Sequence, residues 1–161
     1  MAQRTPSQTV GPYFAIGLTR RVENELVAPG EPGAQHLHGR LLDGVDEPIP
    51  DGLIEVWDHA GRRWGRVGTD GGGGFAFTIA KPPAVGSEAP RLDVFVFARG
   101  LLRHQLTRVY FPDEAAANEA DPVLAALSAD ERATLVATAD DGGFQHDIHL
   151  QGDRQTVFFE H

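Results

Sequence analysis

From residue 36 to the C-terminus the chain is a series of short apolar runs that alternate with polar positions and are broken by turn-forming residues. A period of two places successive side chains on opposite faces of an extended strand. The alternation predicts strands at residues 36–42, 53–58, 74–79, 92–98, 106–111, 145–150 and 156–159. In Asp93-Val94-Phe95-Val96-Phe97 every position but the first is apolar, which predicts a central strand buried on both faces. Asp43-Gly44, Asp51-Gly52, the glycines at 71–74 and Asp141-Gly142-Gly143 mark the turns, because glycine accepts the positive φ of tight reversals. Helical signal is confined to residues 113–137. There Asp121 before Pro122 reads as an N-cap followed by proline in the first turn, and Ser128 with Glu131 has capping-box spacing. The expectation is a mostly β chain: a β-sandwich core with short helices in the C-terminal half and an extended N-terminal arm.

With 161 residues, 41% of them hydrophobic, the chain is of single-domain size, with an arm at 1–34 and the sandwich at 35–161. Residues 24–35 hold too little apolar content to fold alone and read as part of that arm. Thr5-Pro6-Ser7-Gln8-Thr9-Val10-Gly11-Pro12-Tyr13-Phe14 is too rich in proline and glycine for a helix, yet too specific in shape for a loose tail. It docks either on its own domain as a clasp or on a neighbour as an interface arm. Fourteen basic against 23 acidic residues give a net charge of −9, which repels phosphate backbones and anionic lipid. The absence of cysteine excludes disulfides, thiolate metal sites and a cysteine nucleophile. No apolar leader follows Met1, and a cytoplasmic location is the expectation.

The histidines are the first candidates for chemistry. His36 and His38 share one face of a strand and have metal-ligand spacing, whereas His146 and His149 fall on opposite faces. Neither pair has a matched set of further ligands in sequence, so surface histidines are the better reading of both. Ser7, Ser87 and Ser128 lack a nucleophile elbow, and the glycine run lacks the Lys-Ser/Thr of a phosphate loop.

Seven segments in order resemble the intradiol ring-cleavage dioxygenase family, and within it the α-type subunits of protocatechuate 3,4-dioxygenases. They begin with residues 5–14, 39–44 with Ile54-Glu55-Val56-Trp57, and Val96-Phe97-Ala98-Arg99-Gly100. The match continues through Thr107-Arg108-Val109-Tyr110-Phe111, Asp121-Pro122-Val123-Leu124, and residues 144–148 and 151–159. The resemblance implies a β-sandwich and a ferric centre that cleaves a catechol between its hydroxyls with dioxygen, the iron held by two Tyr and two His of a catalytic β subunit. In this chain the paired histidines align with Arg91-Leu92-Asp93, and Tyr13 and Tyr110 are its only tyrosines. By resemblance, then, Fe(III) belongs to the β partner, Arg91 and Asp93 stand at vacated ligand positions filled by a salt bridge to a nearby acid, and the chain assembles into an (αβ)n hetero-oligomer. It also implies that Thr9, Gly11, Pro12, Tyr13 and Arg99 line the substrate pocket, with Arg99 facing the substrate carboxylate. Relative to the family, residues 62–74 look trimmed to a compact turn. Two other readings stay open: a β-sandwich binding module without a partner enzyme, and a metalloenzyme built on His36 and His38.

Overall fold

The computed structural model describes residues 4–11, 13–19 and 23–160. The strands are β1 (Ala34–Leu42), β2 (Leu53–Asp58), β3 (Arg63–Gly68), β4 (Gly74–Ala80), β5 (Arg91–Phe97) and β6 (Gln105–Tyr110), followed by the short β7 (Thr138–Asp140), β8 (Gly143–Gln145) and β9 (Ile148–His149). Helices α1 (Tyr13–Leu18), α2 (Ala115–Ala120), α3 (Pro122–Ala125) and α4 (Ala129–Ala133) complete it. One sheet runs β4-β1-β8-β7, with β9 also pairing β1, and the other runs β3-β2-β5-β6. Leu37, Leu41, Phe75, Phe77 and Ile79 of the first sheet meet Ile54, Val56, Leu92, Val94, Val96 and Val109 of the second in one buried core. Each such side chain, fully buried, contributes roughly 1.5–3 kcal/mol of transfer free energy. The expected β-sandwich with short C-terminal helices is therefore present. Among the described residues no helix is long and apolar enough to cross a membrane.

The legible caps form as expected. The Asp121 carboxylate accepts from the Val123 and Leu124 amides at 2.8 and 3.1 Å, while Ser128 and Glu131 close a capping box at the start of α4. Several details differ from the sequence reading. Residues 62–74 are not merely a turn: they contain β3, which pairs with β2 along its whole length. Strand β5 is interior to its sheet, but only Leu92, Val94 and Val96 are buried, and its other face is half-covered. The expected strand 145–150 is split into β8 and β9, because the Asp147 carboxylate takes the Arg40 amide at 2.9 Å in place of a ladder carbonyl. At this break β1 and the C-terminal segment approach so closely that a Cβ at Gly39 would lie 1.8 Å from the His146 carbonyl oxygen. Residues 156–159 form no regular strand. They run beside β6, held by Thr107 Oγ1 donating to the Val157 carbonyl and by the Phe159 amide donating to Leu106, both at 2.8 Å.

The N-terminal part divides in two. Asn24, Glu25 and Leu26 add to the edge of β4, with Leu26 N–H to the Thr78 carbonyl at 2.8 Å and the Leu26 side chain in the core. Further upstream, Tyr13 and Phe14 belong to α1 although the segment was expected to be non-helical throughout. The helix starts just past Pro12, over the run Tyr13-Phe14-Ala15-Ile16-Gly17-Leu18, and the Phe14 amide donates to the Gly11 carbonyl at 3.0 Å.

Candidate functional site

Strand β5 organises the sites because its outward-facing row, Arg91, Asp93, Phe95 and Phe97, ends two residues later at Arg99. The alternation that buries Leu92, Val94 and Val96 leaves these side chains on the opposite face of the sheet.

At the far end, Ala98 is fully buried and Arg99 stands at the corner of a turn closed by the Leu101 amide to the Ala98 carbonyl at 3.3 Å. Gly100 adopts φ 90°, a conformation that a side chain would strain. The N-terminal segment docks here: Thr9 Oγ1 accepts from the Gly100 amide at 2.8 Å, and the Phe14 ring lies 5.6 Å from that of Phe97. Gln8 and Val10 form one wall of a groove of about 330 Å³ whose other wall is Leu101, Leu102 and His104. The described part of the segment thus touches its own domain through Thr9 and Phe14. The Arg99 side chain is 66% exposed and forms an ion pair through Nε with Asp51. Tyr13 is 79% and Ile16 58% exposed on α1. Thr9, Gly11, Tyr13 and Arg99 thus lie on three segments tied together at one end of β5, and Pro12 lies outside the described residues.

At the other end of the strand, charges are packed together. Arg91 lies 3.0 Å from Glu88 and 3.5 Å from Asp93, and Arg108 approaches the same Asp93 oxygen at 3.5 Å. His59 Nε2 sits 3.1 Å from the second Asp93 oxygen. The acid expected beside Arg91 is present, although Glu88 and Arg108 were not singled out from sequence. Next to this cluster Tyr110 is fully buried, and desolvation pushes its hydroxyl above the ordinary range against the pull of Arg108. It stays a protonated phenol at neutral pH.

The remaining histidines are dispersed. His36 is exposed on the outer face of β1, and His38 bonds Asp140 at 2.8 Å, which accounts for polar residues on a strand whose Leu37 and Leu41 are buried. His146 and His149 do not face apart as expected. The break between β8 and β9 turns both onto one cavity of about 520 Å³, lined also by Thr134 and Thr156. His149 also pairs with Asp46 at 3.2 Å, outside that cavity. Among the described residues no three His, Asp or Glu side chains are arranged to hold a metal ion.

The chain is 38% identical to the protocatechuate 3,4-dioxygenase alpha chain of Burkholderia cepacia, with 98% of each covered. It is 34% identical to the alpha chain of the same name from Pseudomonas putida, covering 97% of this chain and 96% of that one. No protein-family model matches. In three dimensions it resembles an intradiol ring-cleavage dioxygenase from Tetranychus urticae, with a TM-score of 0.64 over 95% of this chain and 96% of the other at 14% identity, a likeness of fold. With identities of 38% and 34% over nearly the whole chain, and a sandwich fold in agreement, the chain belongs to the family of protocatechuate 3,4-dioxygenase alpha chains.

Proposed function

We propose that this chain is the supporting subunit of a cytoplasmic (αβ)n enzyme that cleaves protocatechuate with O2 to 3-carboxy-cis,cis-muconate, in aromatic catabolism through the β-ketoadipate pathway. The ferric ion is held by the β partner, and Thr9, Gly11, Pro12, Tyr13 and Arg99 of this chain complete the partner's substrate pocket. The observation that carries the reading is the Thr9–Gly100 hydrogen bond, which brings the N-terminal segment onto the turn presenting Arg99 across 91 residues of sequence. A guanidinium exposed at that end suits an aromatic carboxylate, since it is always charged and offers paired donors. The exposed Tyr13 and Ile16 on the adjoining helix suit contact with a partner.

The donor set on the opposite end of β5 does not fit a ferric ion. Two guanidinium groups converge on the single Asp93 carboxylate, and their positive charge repels a trivalent cation. No step of the reaction is therefore assigned to Arg91 or Asp93. The test is oxygen uptake and the visible spectrum with protocatechuate, for this chain alone and co-produced with the β chain. Colour and activity are expected only in the complex, with Arg99→Gln lowering kcat/KM roughly tenfold to a hundredfold, the worth of hydrogen bonds to a charged group. A lone chain that is coloured and active would refute the supporting role.

A further inference from the structure

Arg99 is 66% exposed on a turn, a place where an arginine side chain ordinarily samples many rotamers. Here it has a fixed neighbour. The antiparallel register of β2 and β5 pairs Leu53 with Phe97. Continued two residues beyond the ladder, the same register sets Asp51 opposite Arg99, on the face of the sheet that carries the outward row of β5. The ion pair between Asp51 and Arg99 Nε is thus placed by sheet pairing and not by a chance encounter of long side chains.

The segment bearing Asp51 is itself held on both sides. Thr69 Oγ1 donates to the Ile49 carbonyl at 2.6 Å and accepts from the Gly52 amide at 2.8 Å, while the Thr69 amide donates to the Gly52 carbonyl at 2.9 Å. Gly52 is packed so closely that a Cβ there would meet Leu41 Cδ2 at 2.5 Å. Asp51 is therefore a short carboxylate on a pinned turn, facing a long cation whose backbone is pinned through Gly100 to Thr9.

We infer that Asp51 is a positioning residue: it grips the guanidinium of Arg99 at Nε and thereby orients the remaining donors toward the carboxylate of an aromatic acid. This rests on the proposed role of Arg99. Nε is the inner nitrogen of a planar group with five N–H donors, so a partner at Nε restrains the plane while four donors remain. A bidentate carboxylate contact is sensitive to that plane, and orientation is the quantity a positioning residue supplies.

The test uses the co-produced complex and the ratio of kcat/KM for protocatechuate to that for catechol, which lacks the carboxylate. A general structural defect moves both substrates together, whereas loss of carboxylate orientation moves the ratio. Asp51→Asn, which keeps the shape and removes the charge, is expected to lower the ratio about fivefold, the upper end for a half-exposed ion pair. In an Arg99→Gln background the same substitution is expected to change nothing further, and Asp51→Glu is expected to restore part of the ratio. If Arg99→Gln lowers the ratio but Asp51→Asn leaves it unchanged or raises it, Asp51 does not position Arg99 and the inference falls alone. If Arg99→Gln itself leaves the ratio intact, the role given to Arg99 is wrong and the inference falls with it. An Asp51→Asn loss that persists undiminished without Arg99 also overturns it.

Discussion

Arg91 and Arg99 stand at the two ends of one row on β5, and the fold treats them in opposite ways. Arg91 is 17% exposed and sits among Glu88, Asp93 and the neighbouring Arg108, so its charge is taken up inside the protein. Arg99 is 66% exposed and is held at one nitrogen by one acid. Identical side chains, one at the start of β5 and one on the turn that follows it, therefore serve different ends. A cation surrounded by carboxylates within a half-covered sheet face is a structural element that costs stability to disturb, whereas one at an exposed turn contributes little to stability and keeps its donors for a ligand.

His146 sharpens the contrast as a third case, a buried ionisable group without a compensating partner. Burial pushes its imidazole down to about 4 from the ordinary 6.5. The unfolded chain takes up a proton near the ordinary value, so the stability due to neutral His146 is fully present above about pH 6.5 and is lost as the pH falls from there towards 4. The loss amounts to roughly 3 kcal/mol. Denaturant unfolding at stepped pH is expected to show it in the natural chain and not in His146→Phe; parallel acid limbs in the two would contradict it. Asp93→Asn comes next, because it leaves Arg91 and Arg108 facing each other with only Glu88 nearby. A cost of about 2 kcal/mol is expected, reduced from the fully buried case by partial exposure, and thermal unfolding measures it. Ser128→Ala removes the capping box at the start of α4 and is expected to cost about 1 kcal/mol in the same experiment. Smallest is Arg99→Gln, expected to shift stability by less than about 0.5 kcal/mol while lowering turnover in the complex. A stability loss at Arg99 as large as that at Asp93 would erase the distinction between the two ends.

Much of the architecture was legible because the core strands obey the period of two. The caps at Asp121 and Ser128 were legible because capping is local chemistry between residues two or three apart. Strand β3 was not. Its sequence, Arg63-Trp64-Gly65-Arg66-Val67-Gly68, has no apolar alternation, and its extended state comes from pairing with β2, where Trp57 faces Trp64 and Glu55 bonds Arg66 Nε at 2.9 Å. The break between β8 and β9 also escaped the reading, because the side chain that interrupts the ladder, Asp147, acts on Arg40 from 107 residues away. The site divides similarly. Thr9, Gly11, Tyr13 and Arg99 were named through family resemblance, whereas Asp51 and Arg108 depend on strand register, and a register is a property of two strands together.

The position of β1 in its sheet bears on how the chain is made. β1 is an interior strand whose partners include β8 and β9, residues synthesised more than a hundred positions later. At roughly 5–20 residues per second, the nascent chain exposes that open side of β1 for several seconds before its last strands emerge. Contacts of such long sequence separation also form slowly, since loop closure precedes the stabilising pairings. Sandwich completion therefore waits on residues 143–149, and a partner that recognises the finished sandwich can be met only after they have paired with β1.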